Sequence, residues 1–540
     1  MRLPERSATT SPSKPPICLR SKVRVVGRDQ VVFRRIKRRP QRTAEFQLTP
    51  WKQAGHGRFA QHPDDPFNRD SALTLAEIER RRLPEYAVTG VQHTSAPTAN
   101  PGVTAMSFDD DIEKEVNRLE EKAGKTVTQL YEERETRVRD AIELKEPDRV
   151  PVIIRGENFA ARYAGLPFAS AYYDPALYRS ALKKTILELE PDMGGGPSTL
   201  AASGTALEML GMKQLLWPGG TLPSDVTHQF VETEYMREEE YDLFITDPTD
   251  FILRYYLPRV YESLRPLSGL ASVMPIQNSA AFPSILHLFG APEMGAALGI
   301  LHRAGLEQEE WRRSLGDFEE EMASLGFPLA SHGNFGGAPF DAISDYLRGM
   351  RGAILDMYRC PDKLLTACER IMDWRMARSL PADPMRRGNP KRAGGAILRG
   401  SDGFMSKDQF DRFYWPGLKR SMQATIDLGF VPFLFCEGTC NSRLEYFLEL
   451  PKGKFVLHFD ETDMGLAKAV LGGHCCVMGN VPASLLSVGS PAQVEEYCRD
   501  LFRVAGRGGG FILTSGGFLD DAKPANVKAM IDSAKKYGRY

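Results

Sequence analysis

Cysteine is scarce in this chain. Eight cysteines among 540 residues, none in a C-x-x-C pair, are too few and too scattered for a disulfide framework. With no secretory apolar stretch near the start, they read as reduced thiols of a cytoplasmic protein. No run of eighteen apolar residues occurs, so no segment is expected to span a membrane as a helix. An excess of one charge is missing too. The 69 Lys and Arg against 70 Asp and Glu leave a net charge of -1, which gives no electrostatic reason to expect nucleic acid as a partner of the whole chain. H-E-x-x-H, G-x-S-x-G and the P-loop are absent, and no G-x-G-x-x-G follows the first strand. The zinc-protease, serine-hydrolase, phosphate-loop and dinucleotide signatures therefore all fail. What remains is an apolar content of 42%, enough for a sizeable core in several average domains or in one large barrel with extensions.

The first hundred residues are of a different material. Residues 1–39 hold twelve Lys or Arg and two acids, Glu5 and Asp29, and residues 40–105 continue in Pro, His, Thr and Ala without a periodic apolar pattern. Such a stretch cannot bury enough surface to offset its chain entropy, so residues 1–105 are expected to be a disordered basic extension. It reads as a basic arm, as an organelle transit peptide, or as an upstream extension before a start at Met106. After Met106, "SFDDDIEKEVNRLEEKAGKTVTQLYEERETRVRDAIELKEPDRVPV" begins with a capping serine and three aspartates suited to a helix N-terminus. Helices are expected over 106–145 and the main domain over 146–540.

That main domain alternates. "VPVII" gives a strand ending at Arg155. In the last third, strands "FVPFLF", "KFVLHF", "CCVMGN" and "GFILTSGG" alternate with helices "SRLEYFLEL", "GLAKAVLG", "PAQVEEYCRDLFRVAG" and "PANVKAMIDSAKKYG". Alternation of this kind predicts a parallel sheet with crossover helices, and the class is α/β, a (β/α)8 TIM barrel in preference to an open sheet. Chemistry in such barrels sits just past the C-terminal ends of the strands. Read there, the chain offers Arg155 and Glu157, Cys436 and Glu437, His458 and Asp460, Asn480, and Thr514 and Ser515. Each has a plainer reading. Cys436 suits a small core filler, His458 a core histidine, Asp460 a helix cap and Asn480 a turn.

From about residue 130 onward the chain resembles the uroporphyrinogen decarboxylase superfamily. The resemblance rests on "KEPDRVPV", "FGGAPFDAISDYLRGMRGAILDMYRCPDKL", "SKDQFDRFYWPGLKRSM", "VMGNVPASLLSVGSPAQVEEYCRDLF" and "GGGFILTSGGFLDDAKPANVKAM". It implies a (β/α)8 barrel and two competing activities. True decarboxylases carry an arginine loop for substrate carboxylates, and here "IIRGENFAARYAG" keeps only Arg155, Arg162 and Tyr163 as echoes. The corrinoid-dependent methyltransferase branch is nearer. One of its zinc patterns, His-x-Cys with a distant Cys, meets Leu434, Cys436 and Ser515-Gly516 here. Another, a Glu, Glu, His arrangement, keeps Glu437 and His458 but meets Met422 at the first Glu.

The resemblance thus implies methyl transfer between a methoxyarene- or methylamine-type molecule and a corrinoid on a partner protein, since no D-x-H-x-x-G motif is present. Glu437, His458 and Asp460 are the expected catalytic residues, and Arg155, Asn480 and Ser515 the substrate contacts. Glu437 and His458 are the expected zinc ligands, with Cys436, or else Asp460, as the third, because a catalytic zinc takes three protein ligands and keeps one position open. Pairing into a homodimer is also implied. The alternatives are uroporphyrinogen decarboxylation and a non-catalytic corrinoid- or tetrapyrrole-binding barrel.

Overall fold

A computed structural model describes residues 108–155, 157–197, 202–271, 282–330, 333–376 and 392–540. The basic extension 1–105, the capping Ser107 and the loop tips between these segments lie outside the described residues.

Two helices come first, α1 (Phe108–Ala123) and α2 (Val127–Ile142). Thr126 caps α2 by accepting from the Gln129 amide, and the Gln129 side chain reaches back to the Thr126 amide. This reciprocal box satisfies two of the four amides that a helix start leaves unpaired. Strand β1 (Ile153–Ile154) pairs in parallel with β2 (Met193–Gly194), which follows helix α3 (Pro175–Leu189). Five longer strands form one parallel sheet in sequential order: β3 (Arg392–Ile397), β4 (Val431–Cys436), β5 (Val456–Phe459), β6 (Cys476–Val481) and β7 (Phe511–Ser515). Sequential parallel order with a helical segment after each strand is the arrangement that repeated right-handed crossovers produce. Single bridges join the two sheets: Val152 to Leu513, Gly194 to Leu329 and Asn334 to Gly394, all parallel.

The expected C-terminal strands fall where the sequence placed them. Three features differ. "RAGGAI" forms β3 although it lacks an apolar burst; "SRLEYFLEL" winds as a 3-10 segment, Asn441–Glu449; and the helix after β6 ends in a π-turn, Phe502–Gly506. Among the described residues no single helix is long and apolar enough to cross a membrane.

Side chains alternate between two faces along each strand. On the inner face Phe433, Val456, Cys476, Met478 and Ile512 pack with Ile153 and Met193, and with Val138, Ala141 and Ile142 of α2. On the outer face Leu434, Cys436, Leu457, Phe459, Val477 and Leu513 join the large core shared with the helices. Helix α2 is pinned across the N-terminal strand ends by ion pairs. Arg137 bonds Asp148 and Asp192 at 2.6 Å each, and Arg392 of β3 bonds Glu135 at 2.9 Å. The opposite, C-terminal ends of the strands carry the candidate chemistry.

Candidate functional site

Strand parity decides which candidates meet. Phe435 lies opposite His458 in the ladder, and His458 opposite Met478, so these three share the inner face. Glu437 and Asp460 follow two residues beyond Phe435 and His458, one layer higher, and Asn480 pairs with Thr514 beside them. Glu437 and Asp460 lie close enough to act on each other electrostatically, Asn480 bonds the Asp460 carbonyl, and His458 lies one layer below.

His458 is buried, with Nε2 2.8 Å from the carbonyl oxygen of Ser515 and its ring against Phe435. A carbonyl only accepts, so Nε2 carries the proton. Burial lowers this imidazole to about 3, with the Arg155 charge adding to the fall and the Ser515 bond opposing it. It is a neutral ring at physiological pH. Arg155 lies 5.8 Å from the centre of the Phe435 ring and 5.2 Å from that of Phe518, so a cation and two aromatic rings form one wall.

The carboxylates stand one layer above. Burial raises Glu437 above the usual carboxylate range; Arg399 opposes the shift, and Asp460 and Asp345 reinforce it. Asp460 accepts from the Gly438 amide at 3.0 Å. Gly516 makes room for it, because a Cβ there would stand 2.8 Å from the Asp460 carbonyl oxygen and 3.2 Å from its carboxylate. Arg399 is already bound to Asp345 at 2.8 Å and lies 3.5 Å from Glu232. Behind them, Asp341 accepts from Tyr414 at 2.6 Å and from the Leu398 and Arg399 amides, yet burial and the Asp345 charge push it up to about 7.

Asn480 donates from Nδ2 to the carbonyls of Asp460 and Thr462, at 3.0 and 2.9 Å, which fixes its amide orientation. Its Oδ1 and the Oγ1 of its ladder partner Thr514 are buried with no protein partner. Buried oxygens are rarely left so.

Residues 332–537 match the family model of uroporphyrinogen decarboxylase, URO-D. The match covers 206 of the 540 residues. No curated protein matches the chain in sequence. Among solved structures it is similar to a methyltransferase from Methanosarcina mazei, with 16% identity over 75% of this chain and 98% of that one, at a TM-score of 0.46.

The strand geometry corrects part of the expected site. Cys436 occupies the outer face, inside the helix-side core, where burial and the neighbouring Cys440 raise its thiol. Parity puts it on the opposite side of β4 from Phe435, so it cannot join Glu437 and His458. His458 spends its Nε2 on a carbonyl, and among the described residues no three His, Cys, Asp or Glu side chains are grouped for a metal. The Cys436–Glu437–His458 set does not fit zinc.

Ser515 contributes its carbonyl to His458, but its hydroxyl turns to the Gly517 carbonyl at 2.7 Å; the inner-face residue of β7 is Thr514. Arg162, the second arginine of the decarboxylase-like loop, is bound to the Asp520 carbonyl and to Asp521 at 2.6 and 2.8 Å. Asp460 does not cap the following helix; Asp463 does, accepting from the Leu466 amide. Arg399, Asp341 and Asp345 were not foreseen. The available signal was Arg399 itself, a charged residue two positions past the end of a strand that the sequence did not reveal.

Proposed function

We propose that the chain closes, through the bridges from Val152 to Leu513, Gly194 to Leu329 and Asn334 to Gly394, into a (β/α)8 barrel of the URO-D family that catalyses methyl transfer. The methyl donor is a small neutral or cationic molecule, an amine or a hydroxylated methoxyarene, and the acceptor is a corrinoid carried by a partner protein. The observation that carries this reading is the make-up of the inner mouth. Glu437 and Asp460 lie one layer above Phe435 and His458, with the buried oxygens Asn480 Oδ1 and Thr514 Oγ1 on the neighbouring strands and Arg155 near the Phe435 and Phe518 rings.

Asn480 Oδ1 accepts and cannot donate, so it favours a ligand presenting N–H or O–H. The aromatic wall suits a flat or cationic body. A porphyrinogen bearing many carboxylates is poorly served, because Arg399 and Arg162 are already bound to acids of the chain and the remaining mouth is rich in carboxylates. Like charges brought together in a partly dry cavity oppose binding.

In this reading Glu437 is a general acid. The carbon–heteroatom bond of the donor breaks as the methyl group leaves, and the lone pair left on oxygen or nitrogen takes the proton from Glu437, which ends as a carboxylate. Burial favours the protonated form that this role needs. Neutral His458 holds the floor of the site, with its proton committed to Ser515. The corrinoid, when presented, supplies the nucleophile that receives the methyl group. The test is methyl transfer to free cob(I)alamin from a panel of methylamines and hydroxylated methoxyarenes, run beside uroporphyrinogen decarboxylation. Transfer from at least one donor with no decarboxylation is expected; decarboxylation with no transfer would overturn the reading.

A further inference from the structure

A second cavity, of about 690 Å³, opens among the N-terminal helices, the segments leading into β1 and β2, and the C-terminal helix α4 (Pro524–Tyr537) with Arg539 beyond it. It sits at the N-terminal strand ends, opposite the carboxylates of the mouth. Six cations line it: Lys122, Arg134, Arg137, Arg149, Lys535 and Arg539. Four acids line it as well, but Glu133 is held at 2.5 Å by Lys125, which is not part of the lining.

The other three acids are shared several ways. Asp148 is bonded by Arg137 at 2.6 Å. Asp192 is bonded by Arg137 at 2.6 Å and by Arg149 at 2.7 Å, and it also accepts from the Val152 amide at 2.8 Å. Glu190 takes Lys122 at 2.6 Å, with Lys535 at 3.8 Å. Positive charge therefore exceeds negative within the lining. Arg134 is held by no acid of the lining. It lies 3.7 Å over the Phe327 ring and donates to the Gly326 carbonyl at 2.5 Å, and among the described residues it makes no ion pair. Burial lowers Arg134 to about 10 and moves Lys535 down as well, the cost of holding cations in a half-dry cavity without enough counter-charge.

We propose that this cavity is a binding site for a polyphosphate group, borne by free polyphosphate or by a nucleotide. Its size is that of a small-molecule site. Arg137 and Arg149 are committed to Asp148 and Asp192, so Arg134, Lys535 and Arg539 are the cations that would meet a ligand, and three converging charges suit one with several linked negative charges. Leu119, Ala123 and Leu130 give the cavity an apolar wall on which a base can rest. The site is independent of the methyl-transfer reading, because it shares no residue with the mouth.

The test is calorimetric titration of the full chain with tripolyphosphate, with ATP and with inorganic phosphate, at ionic strength held constant with KCl. One site is expected to bind tripolyphosphate or ATP at least about tenfold more tightly than phosphate. Equal affinity for the first two assigns the phosphate chain alone as the ligand; tighter ATP adds the base. Arg539 is exposed, so Arg539→Gln leaves the unliganded melting temperature unchanged and weakens binding about tenfold. Arg134→Gln weakens it as much, and if that buried change impairs folding, Arg539→Gln carries the test. Affinity unchanged in a folded variant assigns the binding elsewhere, for instance to the basic residues 1–39, and overturns the proposal. So does the absence of binding beyond that of matched KCl.

Discussion

Glu437 and Cys436 are neighbours in sequence and strangers in space, and that separation sets the first tests. Glu437 stands with Asp460 at the mouth, so Glu437→Gln, nearly identical in shape, is expected to lower methyl transfer about a hundredfold or more while leaving unfolding by urea little changed. Because the acid form is the active one, the wild-type rate should fall as pH rises through a limb above the ordinary carboxylate value, and the limb should vanish in Glu437→Gln. Cys436 is packed behind the strand. Cys436→Ala should cost about 1 kcal/mol of stability and leave the rate within a few-fold of wild type; loss of activity in a stable Cys436→Ala protein would return that thiol to the site. His458 gives a test by titration. Its folded pKa of about 3 lies below the unfolded value near 6.5, so the native state resists a proton that the unfolded chain accepts. Its contribution is full above about pH 6.5 and is lost as pH falls toward 3, at about 1.4 kcal/mol per unit. His458→Gln keeps an N–H for the Ser515 carbonyl and should lose less stability than wild type between pH 6.5 and 5; identical acid slopes would show that this imidazole is not held neutral.

At the level of elements, the plug under the inner face is helix α2, whose start depends on the Thr126–Gln129 box. Thr126→Ala should cost about 1 kcal/mol in urea unfolding, and no change would mean that α2 is held by Arg137, Arg392 and their acids alone. The strands legible in the sequence are those whose apolar bursts fill both faces, from "FVPFLF" to "GFILT". β3 stayed hidden because its bulk comes from elsewhere. The Phe335 ring covers Gly395 so closely that a Cβ there would meet it at 2.4 Å, and a strand packed by a neighbour's ring leaves no apolar pattern of its own. The site was legible to the same extent. Residues beyond recognised strands were found, while Arg399, just past hidden β3, and Asp341 and Asp345, on the segment packed beside it, were not. Composition does not separate Ser515 from Thr514, because it does not reveal parity at a strand's end; only the ladder with Asn480 does.

Across the whole molecule, the two ends of the strands differ in kind. The N-terminal end is closed by α2 and laced with arginine–carboxylate pairs, so its polar groups serve one another, apart from the surplus cations of the second cavity. The C-terminal end gathers acids, a neutral imidazole and two oxygens without protein partners, which is the unbalanced chemistry that a ligand completes. The measurement that bears most directly on this account is single-turnover methylation of cob(I)alamin by the wild-type chain and by Glu437→Gln, with the best amine or methoxyarene donor. The account predicts transfer by the wild type and a loss of about a hundredfold or more in the folded variant. Equal rates in the two proteins would contradict it.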